Sequence, residues 1–159
     1  MDEVVIARAL HVLAVVFWIG GVAFVTTVLL PAVRRFEKPE DRLAFFHSIE
    51  RRFAWQARLT TLLAGATGLY MVMRLELWSR FSLVSFWWMH AMALVWLVFT
   101  VMLFIAEPLF LHRWLDARAR MDPEATFTLV ERLHVFLLML SAITVVGAVA
   151  GSHGLPFLG

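Results

Sequence analysis

The chain has 159 residues, of which 62% are hydrophobic and 16% are charged, and its mean hydropathy is +0.81. This balance excludes an ordinary soluble globular domain and is typical of a polytopic membrane protein. The absence of cysteine excludes disulfides, iron–sulfur clusters and thiolate metal sites. The net charge of +2 is carried by arginine-rich segments, which indicates membrane topology and lipid headgroups rather than nucleic-acid binding.

The first predicted element is a membrane span at about residues 5–33. Its centre, residues 9–33, contains 25 consecutive residues without a formal charge. At about 1.5 Å per residue, this stretch forms roughly 37 Å of helix, enough to cross a hydrocarbon core of about 30 Å. One ionisable residue, His11, lies inside it. An imidazole at that depth is costly without a partner, so His11 is a candidate functional residue.

A polar segment follows, and residues 42–52 within it carry apolar side chains spaced among charges. This pattern predicts a short amphipathic helix lying at the interface in the first cytoplasmic loop. The next uncharged stretch, residues 59–73, is short, but flanking arginines can snorkel and Trp55 and Trp78 resemble interfacial anchors. We therefore predict a second span at about residues 54–78.

The second half of the chain predicts two more spans, at about residues 82–111 and 126–151. Pro123 and the acidic residue after it suit the start of the last helix. The connections between the predicted spans are short, and small residues lie at helix-contact spacing. The predicted fold is therefore all-α: an up-down four-helix transmembrane bundle that forms a single domain over residues 1–159.

Basic residues predict the orientation of these spans. Segment 34–58 carries seven Lys and Arg residues and segment 107–132 carries four, against three on the other side. The positive-inside rule then places both rich segments in the cytoplasm and both termini outside. For a bacterial source, this predicts a multi-pass protein of the inner membrane with periplasmic termini, whose surroundings are the lipid bilayer.

Two histidines are predicted to lie in the same outer leaflet on different helices. His11 lies 10 residues from the middle of the first span and His90 lies 7 residues from the middle of the third. Two such imidazoles can ligate one iron from both faces, the usual arrangement of a membrane haem b. Their surroundings include aromatic side chains able to wall the ring and arginines able to pair with propionates, among them Trp18, Trp87, Arg8, Arg74 and Arg80.

Other interpretations of these residues remain open. The aromatic residues also fit an ordinary interfacial belt, and a membrane histidine also fits a hydrogen bond to a neighbouring helix. Methionines in the outer half would suit Cu(I) together with His11 and His90, namely Met71, Met73, Met89 and Met92.

The remaining histidines lie toward the inner side. His134 would hold a second haem or metal with His112 or His47 as its partner, or would make interfacial hydrogen bonds only. Outside that pairing, His47 and His153 are expected to be exposed. Glu107 lies near the inner interface and is expected to pair with Arg58 or Arg132, because an unpaired carboxylate there would be costly.

Short motifs along most of the chain resemble the CopD/HemJ-like superfamily of small bacterial four-helix membrane proteins. They are LHVLAVVFWIGGVAFV, ERRFAWQARL, WWMHAMAL and VERLHVFLLML. In the HemJ-like branch, which contains protoporphyrinogen oxidases that bind haem b, the resemblance implies His11 and His90 as ligands. A lysine usually follows the second histidine by two residues, and here Met92 occupies that position. The CopD-like branch is associated with copper uptake or resistance.

Three functions follow as hypotheses. The first is a haem b protein that transfers electrons, alone, as a homo-oligomer or as a subunit of a larger membrane redox complex. The second is copper transport or resistance, and the third is a structural membrane subunit without a cofactor. The residues leave open whether the chain is an enzyme.

Overall fold

A computed structural model describes residues 2–153. The part of the chain it describes contains helices and turns but no strand, which confirms the all-α prediction. Four long helices account for most of it: α1 (Asp2–Phe36), α2 (Pro39–Arg74), α3 (Val84–Ala119) and α4 (Pro123–Ser152). A short 3-10 helix, Leu77–Ser82, lies between α2 and α3.

The helix boundaries have local causes. Pro39 and two acidic residues occupy the first turn of α2, and Glu76 adopts a left-handed conformation (φ 52°) just after that helix ends. The Asp122 side chain accepts a hydrogen bond from the Ala125 backbone N–H at 2.9 Å, which caps α4. Pro123 then occupies its first turn, as the sequence predicts.

Three of the four long helices are long and apolar enough to cross a membrane, namely α1, α3 and α4. In the apolar window of each, only 22% of the residues are buried within the chain. Most of their apolar side chains therefore face outward, as expected for a protein whose solvent is lipid. The uncharged part of α2, residues 59–73, is shorter than the roughly 20 residues of a straight crossing.

The two tight connections, 37–38 and 120–122, lie at one end, because the residues that flank them contact one another. We call this the basic end, because the seven basic residues of 34–58 and the four of 107–132 lie on the elements that meet there. Arg34 on α1 donates to Glu131 on α4 at 2.7 Å. Arg34 and Arg42 both contact Glu124. These ion pairs tie α1, α2 and α4 together.

Two buried apolar clusters hold the helices together. The central cluster contains Ala14, Trp18, Val22, Ala64, Val95, Phe99 and Leu137. The basic-end cluster contains Val25, Leu30, Val33, Leu43, Phe46, Leu115, Phe127 and Val130. Phe53 packs against both clusters.

The segment predicted as a separate interfacial helix, residues 42–52, instead forms the first turns of α2 without a break. Two of its apolar side chains, Leu43 and Phe46, are covered by protein in the basic-end cluster, whereas Phe45 and Ile49 are exposed. These two side chains, Leu43 and Phe46, pack in a cluster that also contains residues of α1, α3 and α4. The charged segment at the start of α2 and the uncharged residues 59–73 therefore belong to one continuous helix.

Two stretches of the long helices have π-helical geometry. Residues Val25–Leu29 in α1 and Met102–Leu111 in α3 form π-helix, in which backbone hydrogen bonds join residues five apart. The second stretch contains Pro108, which has no N–H to donate. Such wide turns are frequent at functional sites, and this one adjoins the cluster described next.

Candidate metal centre

Two histidines and a glutamate meet at the basic end between α2 and α3. His47 and Glu50 are three residues apart and share a face of α2, and His112 faces them from α3. The potential ligand atoms of all three lie within 4.8 Å of one another. His112 Nε2 lies 4.0 Å from Glu50 Oε2, and the two imidazole rings are 4.6 Å apart, edge to face. We call this trio the His/Glu/His cluster.

A cavity of about 100 Å³ adjoins the His/Glu/His cluster. His134 and Glu107 also line it, so three histidines and two carboxylates converge on one space. Clefts that hold larger organic ligands measure roughly 300–1,000 Å³. The cavity therefore matches a metal ion with a few water molecules and is too small for a haem macrocycle.

The spacing of the cluster is close to that of a metal site. Ligand bonds of about 2.1 Å in a tetrahedral site place the donor atoms about 3.4 Å apart. Small side-chain rotations of His47, Glu50 and His112 would close the difference from the observed separations. Two imidazoles and one carboxylate suit divalent first-row ions such as Zn²⁺, Cu²⁺ and Fe²⁺, with open positions filled by water.

Hydrogen bonds to backbone carbonyls fix which ring nitrogen of these histidines carries the proton. His112 Nδ1 donates to the Glu107 carbonyl at 3.2 Å, and His134 Nδ1 donates to the Val130 carbonyl at 2.9 Å. A carbonyl can only accept, so Nδ1 is protonated in both rings and Nε2 is left with a lone pair. This is the arrangement found in histidines that ligate metals through Nε2.

Burial shifts the pKa values of His47 and Glu50, the two cluster residues on α2. Both residues precede the apolar part of that helix. Burial raises the pKa of the Glu50 carboxyl to about 7, and repulsion from Glu107 adds to this shift. Burial lowers the pKa of His47, and the neighbouring His112 lowers it further. The lowered pKa favours the neutral imidazole, which is the protonation state that ligates metal.

Beyond the cluster, toward the opposite end, a salt bridge joins α2 to α3. Arg58 Nη2 lies 3.0 Å from Glu107 Oε1, which confirms one of the two pairings expected for Glu107. Arg58 Nε also donates to the Leu103 carbonyl at 3.1 Å. In the π-helical pattern that carbonyl would take the N–H of residue 108, which is proline. The guanidinium thus replaces a missing backbone donor.

The two histidines predicted to share a haem have separate environments. His11 lies between α1 and α2, and its Nδ1 donates to the Ala64 carbonyl at 2.9 Å and to Thr67 Oγ1 at 3.1 Å. His90 is exposed, and its Nε2 donates to the Phe81 carbonyl at 2.9 Å. A shared haem would require His90 to break this bond or to ligate through Nδ1.

The other residues predicted around the haem are dispersed. Arg8 and Arg80 are exposed, and Arg80 lies over the Phe86 ring at 4.9 Å. Arg74 pairs with Glu3 at 3.0 Å. Trp18 is buried with its ring edge-on to Phe99 at 4.9 Å.

Tryptophan side chains fill the space beside three of the glycines. A Cβ atom at Gly147 would collide with Trp87, a Cβ atom at Gly65 with Trp96, and one at Gly151 with Trp88. These indoles act as packing side chains between helices.

The sequence prediction was wrong about the exposure of His47 and missed Glu50. Only 16% of the His47 side chain is exposed, whereas His153 is exposed as predicted. The available signal was the spacing His47-x-x-Glu50, which puts an imidazole and a carboxylate on one helix face. His47, His112 and His134, predicted as alternative partners for a second site, do line one cavity.

Comparison with known proteins assigns the chain to no family: no family model, no curated protein and no solved structure matches it. The resemblance to the CopD/HemJ-like superfamily therefore stays a prediction.

Proposed function

We propose that this chain is an integral membrane protein that binds a divalent transition-metal ion at the basic end of its helices. The ligands are His47, Glu50 and His112, and His134 is the neighbouring imidazole of the same cavity. The observation that carries the proposal is the approach of three potential ligand atoms to within 4.8 Å of one another. The donor set favours Zn²⁺ or Cu²⁺ over Cu(I), which prefers thiolate and thioether ligands.

Metal titration of the purified protein tests this proposal. Wild-type protein in detergent, freed of metal by a chelator, is expected to bind one Zn²⁺ or Co²⁺ per chain. His112→Ala is expected to weaken binding at least about 100-fold, because the loss of one of three ligands leaves an incomplete site. His153→Ala, an exposed histidine at the opposite end, is the matched control. Equal affinity of wild type and His112→Ala would refute the proposal.

We further propose that all four long helices cross the membrane, with the basic end in the cytoplasm of a bacterial cell. The charge asymmetry supports this orientation, and α2 is 36 residues long although its uncharged part is short. Because the chain lacks cysteine, single cysteines at Ala117 and Ser152 give a clean test. A membrane-impermeant thiol reagent added outside should label Ser152→Cys only. Labelling of Ala117→Cys from outside would refute the orientation.

Haem b binding by His11 and His90, with electron transfer as the function, is the second candidate. One observation favours it: both partners of His11 Nδ1 accept, because the Thr67 hydroxyl already donates to the Leu63 carbonyl at 2.6 Å. His11 Nε2 is therefore free to ligate iron. A reduced-state haem b spectrum that His11→Ala and His90→Ala both abolish would support this candidate. A purified protein without a haem band would refute it.

A further inference from the structure

The surroundings of the His/Glu/His cluster differ between the side toward the basic end of the helices and the side toward the opposite end. Toward the basic end lies Asp116, one turn beyond His112 on α3. Its side chain is 54% exposed, and its Oδ1 lies 3.8 Å from His47 Nδ1. This exposed carboxylate next to His47 is placed where it can attract a cation that arrives from the aqueous phase at this end.

Toward the opposite end, an ion pair and packed apolar side chains border the cavity. The Glu107 carboxylate is only 13% exposed and is held by Arg58, so its negative charge is already neutralised. The pair therefore offers a cation no net negative charge on this side of the cavity. Behind this pair, Val22, Phe99 and Leu137 line the far wall of the cavity and belong to the packed central cluster.

From this asymmetry we propose that the metal centre is one-sided. The ion enters and leaves at the basic end past Asp116, and the Arg58–Glu107 pair with the central cluster separates it from the other side of the membrane. This inference rests on the proposed metal binding. It assigns the protein to the class of membrane metal receptors or stores that exchange with one compartment, and not to the class of metal conduits.

The role of Asp116 predicts a kinetic effect. Asp116→Asn should slow Co²⁺ association about tenfold, because an exposed carboxylate at the mouth of a site raises the local concentration of cations. The visible spectrum of bound Co²⁺ should not change, since Asp116 guides the ion without remaining a ligand. Asp41→Asn, an exposed aspartate at the same end, is the matched control. An unchanged rate or an altered Co²⁺ spectrum would overturn this role.

Zinc entry into reconstituted vesicles tests whether the metal centre is closed toward the opposite side of the membrane. The full chain is reconstituted into liposomes that contain a zinc-sensitive dye, and Zn²⁺ is added outside. We expect no dye signal above protein-free vesicles, although the reconstituted protein binds Zn²⁺ through His112. Zn²⁺ entry that His112→Ala abolishes would overturn one-sidedness and leave the proposed metal binding intact. If wild type and His112→Ala bind Zn²⁺ equally, the proposed function itself fails.

Discussion

Arg58→Ala is expected to destabilise the protein by about 3–5 kcal/mol, because it leaves the Glu107 carboxylate without its cationic partner in a mostly buried position. The same change removes the donor that satisfies the Leu103 carbonyl. For a chain of this length, the expected loss corresponds to a fall in melting temperature of roughly 10 °C. Thermal unfolding in detergent, followed by circular dichroism, measures it.

A double variant provides the control for this prediction. Arg58→Met with Glu107→Leu removes both charges and keeps similar volume, and replacing a buried pair by apolar residues is often neutral or stabilising. We therefore expect the double variant to recover most of the melting temperature lost in Arg58→Ala. If Arg58→Ala melts like wild type, the salt bridge contributes no stability and cannot serve as the closure of the metal centre.

The second large effect is expected at Gly21 in the middle of α1. A Cβ atom there would lie closer than 3.0 Å to the Phe53 ring of α2. Because Phe53 packs against both apolar clusters, its displacement disturbs the basic end and the centre together. Gly21→Ala should therefore cost about 1–3 kcal/mol, the usual cost of overpacking.

The neighbouring glycine is a matched control. A Cβ atom at Gly20 would meet nothing within 4 Å. Gly20→Ala should therefore be neutral or stabilise the helix by up to about 1 kcal/mol, since alanine is the better helix former. Comparison of the two melting temperatures separates close helix contact from helix propensity. Equal behaviour of the two variants would contradict the packing of Phe53 against Gly21.

The sequence predicts the helices well because charge and hydropathy are local properties. The uncharged run of 25 residues lies within α1, and Pro123 begins α4 where its position suggested. The Arg58–Glu107 pair was also predictable, because few basic residues can reach a carboxylate near the interface. The helices depend on the composition of short segments, and the ion pair depends on the cost of leaving a carboxylate unpaired near the membrane interface.

The site was less predictable because it depends on which helix faces meet. Residues 42–52 looked interfacial because nothing in their own pattern shows that Phe46 packs against His134 of α4, at 5.6 Å between rings. His47 looked exposed because charged residues surround it in sequence, yet its neighbour His112 is 65 positions away in the chain. Placing the histidines by depth alone favoured His11 and His90 and gave no weight to Glu50.

The π-helical stretch Met102–Leu111 ties the position of His112 to the number of residues before it. In this stretch each backbone bond spans one residue more than in an α-helix. Restoring α-helical winding there while keeping the same number of residues would turn everything beyond it by about 100°. His112 would then point away from His47 and Glu50, although no ligand had been mutated. The proposed ion site therefore depends on the π-helical winding of this stretch as well as on side-chain identity, so relatives with the same site should keep this winding.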